Sequence, residues 1–211
     1  MNRHLLSTAY LPPVEYFAFL LADDTTVERE ERYQKQSYRN RAVVMNGNGM
    51  LNLIIPTVHD QRMNVVKEVR IDYVTPWQRA HWRSIESAYN NTPFYLYYKD
   101  ALKPFFEQQY EFLFDFNTQL TQTLLKCLQL DIKISCTETF TPYDDDDPRL
   151  EIHPKKARKP DYRYHLTSPY YQVFEDKFGF SPNLSVIDLL FNEGPQAVNY
   201  LHHLAQSFEI Q

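Results

Sequence analysis

The sequence predicts a mixed α/β fold in a single domain spanning residues 1–211. Three observations lead there. Short runs rich in Val, Ile and Leu, bounded by turn residues, populate the N-terminal half and read as strands. Apolar residues recur at helical spacing from the middle of the chain to its end. The composition is globular, with 43% hydrophobic and 23% charged residues, and a chain of this length buries about 70% of its unfolded surface. One core therefore needs no disulfide or metal staple.

The elements follow in order. Leu5 to Ala9 reads as a first strand, turned by Pro12-Pro13 into a helix with Val14, Phe17, Ala18 and Leu21 on one face. Asp23-Asp24 ends it. Val43 to Met45 and Leu51 to Ile55 flank an Asn46 to Gly49 turn and form a hairpin, with Pro56 ending the second strand. Val69 to Tyr73 is another short strand. Thr75 caps a helix that opens on Pro76, where the missing N–H costs nothing, and Trp77, His81, Ile85 and Ala88 share its inner face. Pro93 begins a helix carrying Phe94, Tyr97 and Tyr98, and a third helix runs from about Thr118 to Leu130 before a strand from Asp131 to Cys136. Regular pattern lapses over about residues 141–165, where an aspartate run meets the basic run Lys155 to Lys159. That composition predicts a mobile, self-neutralising loop. Ser185 and Asp188 have capping-box spacing, Leu184 can staple to Leu189, and Gly194-Pro195 separates the last two helices.

Composition also removes function classes. The net charge of −5 gives no general attraction to phosphate backbones, so nucleic acid is not an expected partner. Only four glycines are present, against average usage of about 7%, and no phosphate-cradling glycine motif occurs. The two cysteines show no paired spacing and suit a reducing compartment. The N-terminus lacks an apolar run with a cleavage site, and the stretch from Val14 to Ala22 is far short of the ~20 residues of a membrane span. A cytoplasmic protein without membrane association is the expectation. The seven histidines are scattered, and no metal-ligand spacing appears.

Candidate chemistry concentrates in Glu28 to Arg41. If this segment is extended, Lys35, Arg39 and Arg41 share one face with Tyr33 and Ser37, and Asn40 takes the other. Such a row suits a carboxylate or phosphate, since Arg binds these groups bidentately and Lys as a point charge. The competing reading is an edge strand protected by its charges and paired with Glu28, Glu30 and Glu31. His81 is the histidine set among apolar neighbours on a helix. It reads either as a proton-transfer group or as a buried imidazole with a structural partner. Ser185 and Asp188 read as cap residues rather than catalytic ones.

Several ordered segments resemble the WbqC-like family. They are Tyr10-Leu11-Pro12-Pro13 with Tyr16, Tyr33-Gln34-Lys35 leading to Asn40-Arg41, Ile55-Pro56, His81, Tyr171-Gln172 with Phe174, and Asn183 through Gly194. Together they span almost the whole chain. The resemblance implies carbohydrate or acyl-group chemistry, as in a transferase of a small acyl or aminoacyl group in surface-polysaccharide or related metabolism. In that reading Lys35, Arg39, Asn40 and Arg41 hold a small anionic metabolite or an activated sugar or acyl donor. His81 moves the proton, and Tyr10 and Tyr16 form an aromatic wall. The alternative is a non-catalytic protein that binds an anionic metabolite or a partner protein through the same face.

Overall fold

The structure is a computed structural model that describes residues 4–22, 25–58, 65–145 and 147–208. Its organising unit is a β-α-β crossover. Strand β1 (Leu5–Ser7) leads through the Pro12-Pro13 corner into helix α1 (Val14–Leu20), and the chain returns as β2 (Thr26–Glu28) parallel to β1. Parallel neighbours require such a crossover, because a tight turn can only reverse the chain. The register places Ser7 beside Glu28. Strand β5 (Ser135–Cys136) adds to the other side of β2, also parallel, so β2 is central and the three strands point the same way. At their carboxyl ends lie Ser7, Glu28 and Thr137, whose N–H donates to the Val27 carbonyl.

Strands β3 (Arg41–Asn46) and β4 (Gly49–Ile54) form the expected hairpin, turned at Gly47-Asn48 with Asn46 paired to Gly49. The mixed α/β class thus divides into a parallel sheet and a separate antiparallel ribbon. Helices α2 (Trp77–Tyr89), α3 (Tyr95–Leu102), α4 (Leu113–Cys127), α7 (Val186–Glu193) and α8 (Ala197–Ser207) pack around one extended core. Two short helices, α5 (Pro148–Glu151) and α6 (Glu175–Phe178), lie in the irregular stretches between them. Helix α2 buries Trp77, His81, Ile85 and Ala88, the face read from its spacing.

Several expectations need correction. Residues Val69 to Tyr73 make only isolated bridges, Ile71 to Thr57 and Arg70 to Phe112, because a 3-10 turn over Val66–Glu68 sets their path. Pro76 precedes α2, and no side chain caps that helix. Helix α4 begins at Leu113 rather than Thr118, and only the last two residues of the Asp131 to Cys136 stretch pair as strand. The aspartates expected to end α1 lie outside the described residues.

The start of α7 is held by backbone rather than by a capping box. Val14 N–H donates to the Leu184 carbonyl, Val186 N–H to Pro12 and Ser185 N–H to Val43, which ties α7 to α1 and β3 together. Ser185 occupies the N-cap position, but its buried hydroxyl has no partner. Asp188 turns away from it and accepts from Tyr170 Oη at 2.8 Å and Gln172 Nε2 at 3.1 Å. Burial pushes its carboxyl up to about 6.

Helix α1 is buried on every side, Glu15 included. One carboxyl oxygen of Glu15 accepts from Tyr162 Oη at 3.3 Å and the other has no partner. Burial raises its pKa to about 8, against the weaker opposing effect of its own backbone hydrogen bond and the Tyr162 hydroxyl. The unfolded chain ionises near 4.5, so between that pH and about 8 the folded state binds more protons than the unfolded one. Stability therefore falls as pH rises through this window. Glu15→Gln cannot titrate, and its stability relative to the natural protein is expected to improve by roughly 2–3 kcal/mol between pH 5 and pH 7. Urea titrations of both proteins across that range check this. His81, lowered to about 4 by burial, has the opposite sign, because its contribution is lost as pH falls below 6.5. It is common to both proteins and cancels in the comparison.

Candidate functional site

The carboxyl ends of β1, β2 and β5 carry a buried ionic network. Glu28, at the end of central β2, accepts from Thr137 Oγ1 at 2.5 Å, Thr141 N at 2.9 Å and Glu30 N at 2.8 Å. Three residues on, Glu31 takes two donors from Arg39, Nε at 2.9 Å and Nη2 at 2.6 Å, in a bidentate pair with both side chains buried. Ser7 lies between them. Its hydroxyl donates to Glu31 at 3.1 Å and accepts from Arg39 Nη2 at 2.8 Å.

The loop over residues 141–165 packs against this end of the sheet and neutralises charges of its own as expected, with Asp147 and Arg149 buried. Asp147 caps α5 by accepting from Arg149 N at 2.8 Å, and Arg149 folds back on it with Nε and Nη2. The Arg149 side chain is fully buried and also reaches Glu28 at 3.4 Å and the carbonyls of Thr141 and Pro142. Its guanidinium lies 4.4 Å from the Tyr143 ring centroid. The acidic run therefore neutralises an arginine inside its own loop. Of the basic run, only Lys156 finds a carboxylate among the described residues, Glu151 at 2.5 Å.

Above this floor is a small, partly open cleft whose enclosed space is about that of one water molecule. Ser7, Thr8, Tyr16, Tyr38, Arg39 and Arg149 line it, together with Leu6, Ala9, Pro148 and Ile152. Burial raises the Tyr16 and Tyr38 phenols well above their ordinary value, so both are hydroxyl donors at neutral pH. Burial lowers the pKa of His153, next to Ile152, and the charges of Arg39, Lys155, Lys156 and Arg41 lower it further. Arg158 acts on the Tyr38 hydroxyl. Among the described residues, no group of three or more His, Cys, Asp or Glu is placed to hold a metal ion. Cys127 and Cys136 are free, and burial pushes both thiols up, away from nucleophile character.

The residues singled out from the sequence separate in space. Arg39 and Tyr16 line the cleft, and Arg41 does not, although its charge acts on His153 beside the wall residue Ile152. Glu28 to Arg41 is a series of turns rather than an extended strand, so Lys35 points to solvent while Arg39 is buried. Asn40 donates to the Ile55 carbonyl at 2.8 Å and serves the hairpin. Tyr10 and His81 meet each other, Oη to Nδ1 at 2.9 Å, and the Ile54 backbone bonds the same imidazole. Neither lines the cleft. Glu28 and Glu31 were expected only as charge partners of the basic segment, a role Glu31 fills for Arg39, while Ser7, Asp147, Arg149 and His153 escaped the sequence reading. One signal was there: Asp147-Pro148 is an N-cap followed by a first-turn proline.

The comparisons with known proteins match this architecture to one family. The model of the WbqC-like protein family aligns with residues 8–165 and 156–200. This chain belongs to that family. The WbqC-like match begins just after β1 and includes β2, the buried arginines and the α7 segment, so the network described above lies within it except for Ser7. A curated relative is the uncharacterised protein Rv1507c of Mycobacterium tuberculosis (strain ATCC 25618 / H37Rv), 24% identical over 227 residues that cover 96% of this chain and 98% of the relative. No solved structure matches this WbqC-like chain. No helix among its described residues is long and apolar enough to cross a membrane.

Proposed function

We propose that the chain binds a small anionic metabolite in the cleft and transfers a small acyl or aminoacyl group to or from it. The supporting observation is the cleft itself, at the carboxyl ends of a parallel sheet, where open α/β sheets place their ligands. Donors from β1, α1 and the loop before β3 converge there, in a protein whose net charge is −5. A concave surface lined by one sign of charge focuses its field and draws in the opposite sign. Arg39 Nη1 has only a long contact to Gln34, 3.5 Å, and so keeps a donor for a carbonyl or oxyanion. Ser7 gives its one hydrogen to Glu31 and accepts from Arg39 Nη2, so it holds that guanidinium in place rather than donating to the ligand itself.

The second reading is binding without turnover. The observation that favours it is the pairing of both floor arginines with carboxylates, which leaves little free charge to redistribute during a reaction. One experiment serves both. Anionic metabolites and acyl thioesters are titrated by calorimetry, and mixtures are analysed by mass spectrometry for a transferred group. Ser7→Ala and Tyr38→Phe are expected to weaken binding about 3- to 10-fold, the worth of one ordinary hydrogen bond. Binding with no transferred mass selects the second reading. Equal binding by both variants removes the cleft from either.

A further inference from the structure

The outer side of the 141–165 loop carries charges that its inner side does not use. From Asp144 to Ala157 the chain is held by successive backbone bonds. Asp147 N–H donates to the Asp144 carbonyl at 3.4 Å, Leu150 N–H to Asp147 at 2.9 Å, Ile152 N–H to Pro148 at 2.8 Å, and the Lys156 and Ala157 N–H groups to His153 at 2.9 Å. Along this path Asp147, Arg149, Ile152 and Pro154 are buried, and α5 rests against β1. Asp144, Asp145, Leu150, Lys155 and Lys159 are exposed. Asp147 pairs with Arg149 and Glu151 with Lys156, so part of the loop's charge is settled internally. Asp144, Asp145, Lys155 and Lys159 make no ion pair among the described residues.

The order of these exposed groups matters. Leu150 lies midway, five residues after Asp145 and five before Lys155, so an acidic turn, an apolar side chain and a basic turn follow one another across α5. Phe140 is exposed beside the acidic turn. Its ring meets Tyr143 at 5.8 Å, and the Tyr143 ring in turn lies 4.4 Å from the Arg149 guanidinium, which ties Phe140 to the same loop.

We propose that this face is a two-fold interface between two copies of the chain, in which Asp144 and Asp145 of each copy meet Lys155 and Lys159 of the other across Leu150. A surface ordered acid, apolar, base is complementary to itself after a half-turn, the condition of an isologous contact. Charge argues against other occupants. An anionic partner gains the lysines and is repelled by the aspartates, and a cationic partner meets the reverse. Each exposed pair contributes little alone, but the two-fold axis makes every pair twice. This interface is independent of the cleft reading. Because Pro148 and Ile152 wall the cleft, it sets two clefts beside one axis.

The test is sedimentation of the full chain over a concentration series at about 0.1 M salt, where a Debye length of about 10 Å screens net charge but not direct contacts. The natural protein is expected to dimerise. Lys155→Glu with Lys159→Glu turns the basic run acidic, and Asp144→Lys with Asp145→Lys turns the acidic run basic. All four side chains are exposed, so neither double variant disturbs the core. Each variant alone is expected to dimerise at least 10-fold more weakly, because like charges then meet twice. An equimolar mixture of the two is expected to recover a dimer that holds one copy of each. A natural protein that stays monomeric at the highest concentration reached would overturn the proposal. So would a double variant that dimerises as well as the natural protein, or a mixture that stays monomeric.

Discussion

Arg149→Met is expected to destabilise the protein by about 3–5 kcal/mol, since removing one partner of a buried ion pair strands the other charge. Arg149 is the counter-charge for Asp147 and reaches Glu28, and all three side chains are almost completely buried. Methionine keeps most of the volume and none of the five donors. The Asp147 carboxylate would then retain only the Arg149 backbone N–H, and the Thr141 and Pro142 carbonyls would lose their side-chain donor. Such a loss corresponds to a melting temperature lower by roughly 6–20 °C for a domain of this size. Because α5 rests against β1 and contributes the Pro148 and Ile152 wall, the cleft should loosen in the same variant. Denaturant unfolding measures the loss. Arg149→Met combined with Asp147→Leu should recover part of it, because the stranded charge goes too. A loss below about 1 kcal/mol in the single variant would show that water already reaches these carboxylates.

Why the ionic network was not legible in the sequence follows from where its partners lie. The parallel strands are three, three and two residues long, too short for a period of two to declare itself, and β5 joins β2 from the far side of the central helices. Central β2 was missed altogether, because Thr26-Val27-Glu28 runs straight into charged sequence. Glu31 and Arg39 are eight residues apart with turns between them, a separation that no helix or strand period brings together. Local signals were readable, and they held. The Gly47-Asn48 turn sits where its composition put it, and the inner face of α2 is buried as spaced. At Ser185 and Asp188 the local pattern marked the start of α7 but misassigned its means, because three backbone bonds and a buried Tyr170 partner displace the capping box. His81 shows the same limit. Its apolar neighbours announced burial, while the Tyr10 hydroxyl that meets it comes from the corner after β1.

Gly194→Ala is expected to cost about 2–6 kcal/mol, the sum of two penalties of about 1–3 kcal/mol each. Gly194 ends α7 with φ 54° and ψ −123°, a region that residues bearing a Cβ rarely occupy. Its cap N–H donates to the Leu190 carbonyl, so the backbone is not free to relax while the helix end is kept. The second penalty is steric. A Cβ built at this position would lie 2.5 Å from Cδ1 and Cγ of Phe94. That ring has little room to retreat, since Phe94 leads directly into α3 and its own N–H donates to the Phe191 carbonyl at 3.1 Å. The contact therefore fixes how closely the entry to α3 approaches the exit of α7. The two penalties separate experimentally in the double variant Gly194→Ala with Phe94→Ala. There the smaller side chain should relieve the clash and leave the backbone strain, so the two substitutions should cost less together than the sum of their separate losses, by about 1–3 kcal/mol. Strict additivity in denaturant unfolding would assign the whole cost of Gly194→Ala to backbone strain and none to the ring.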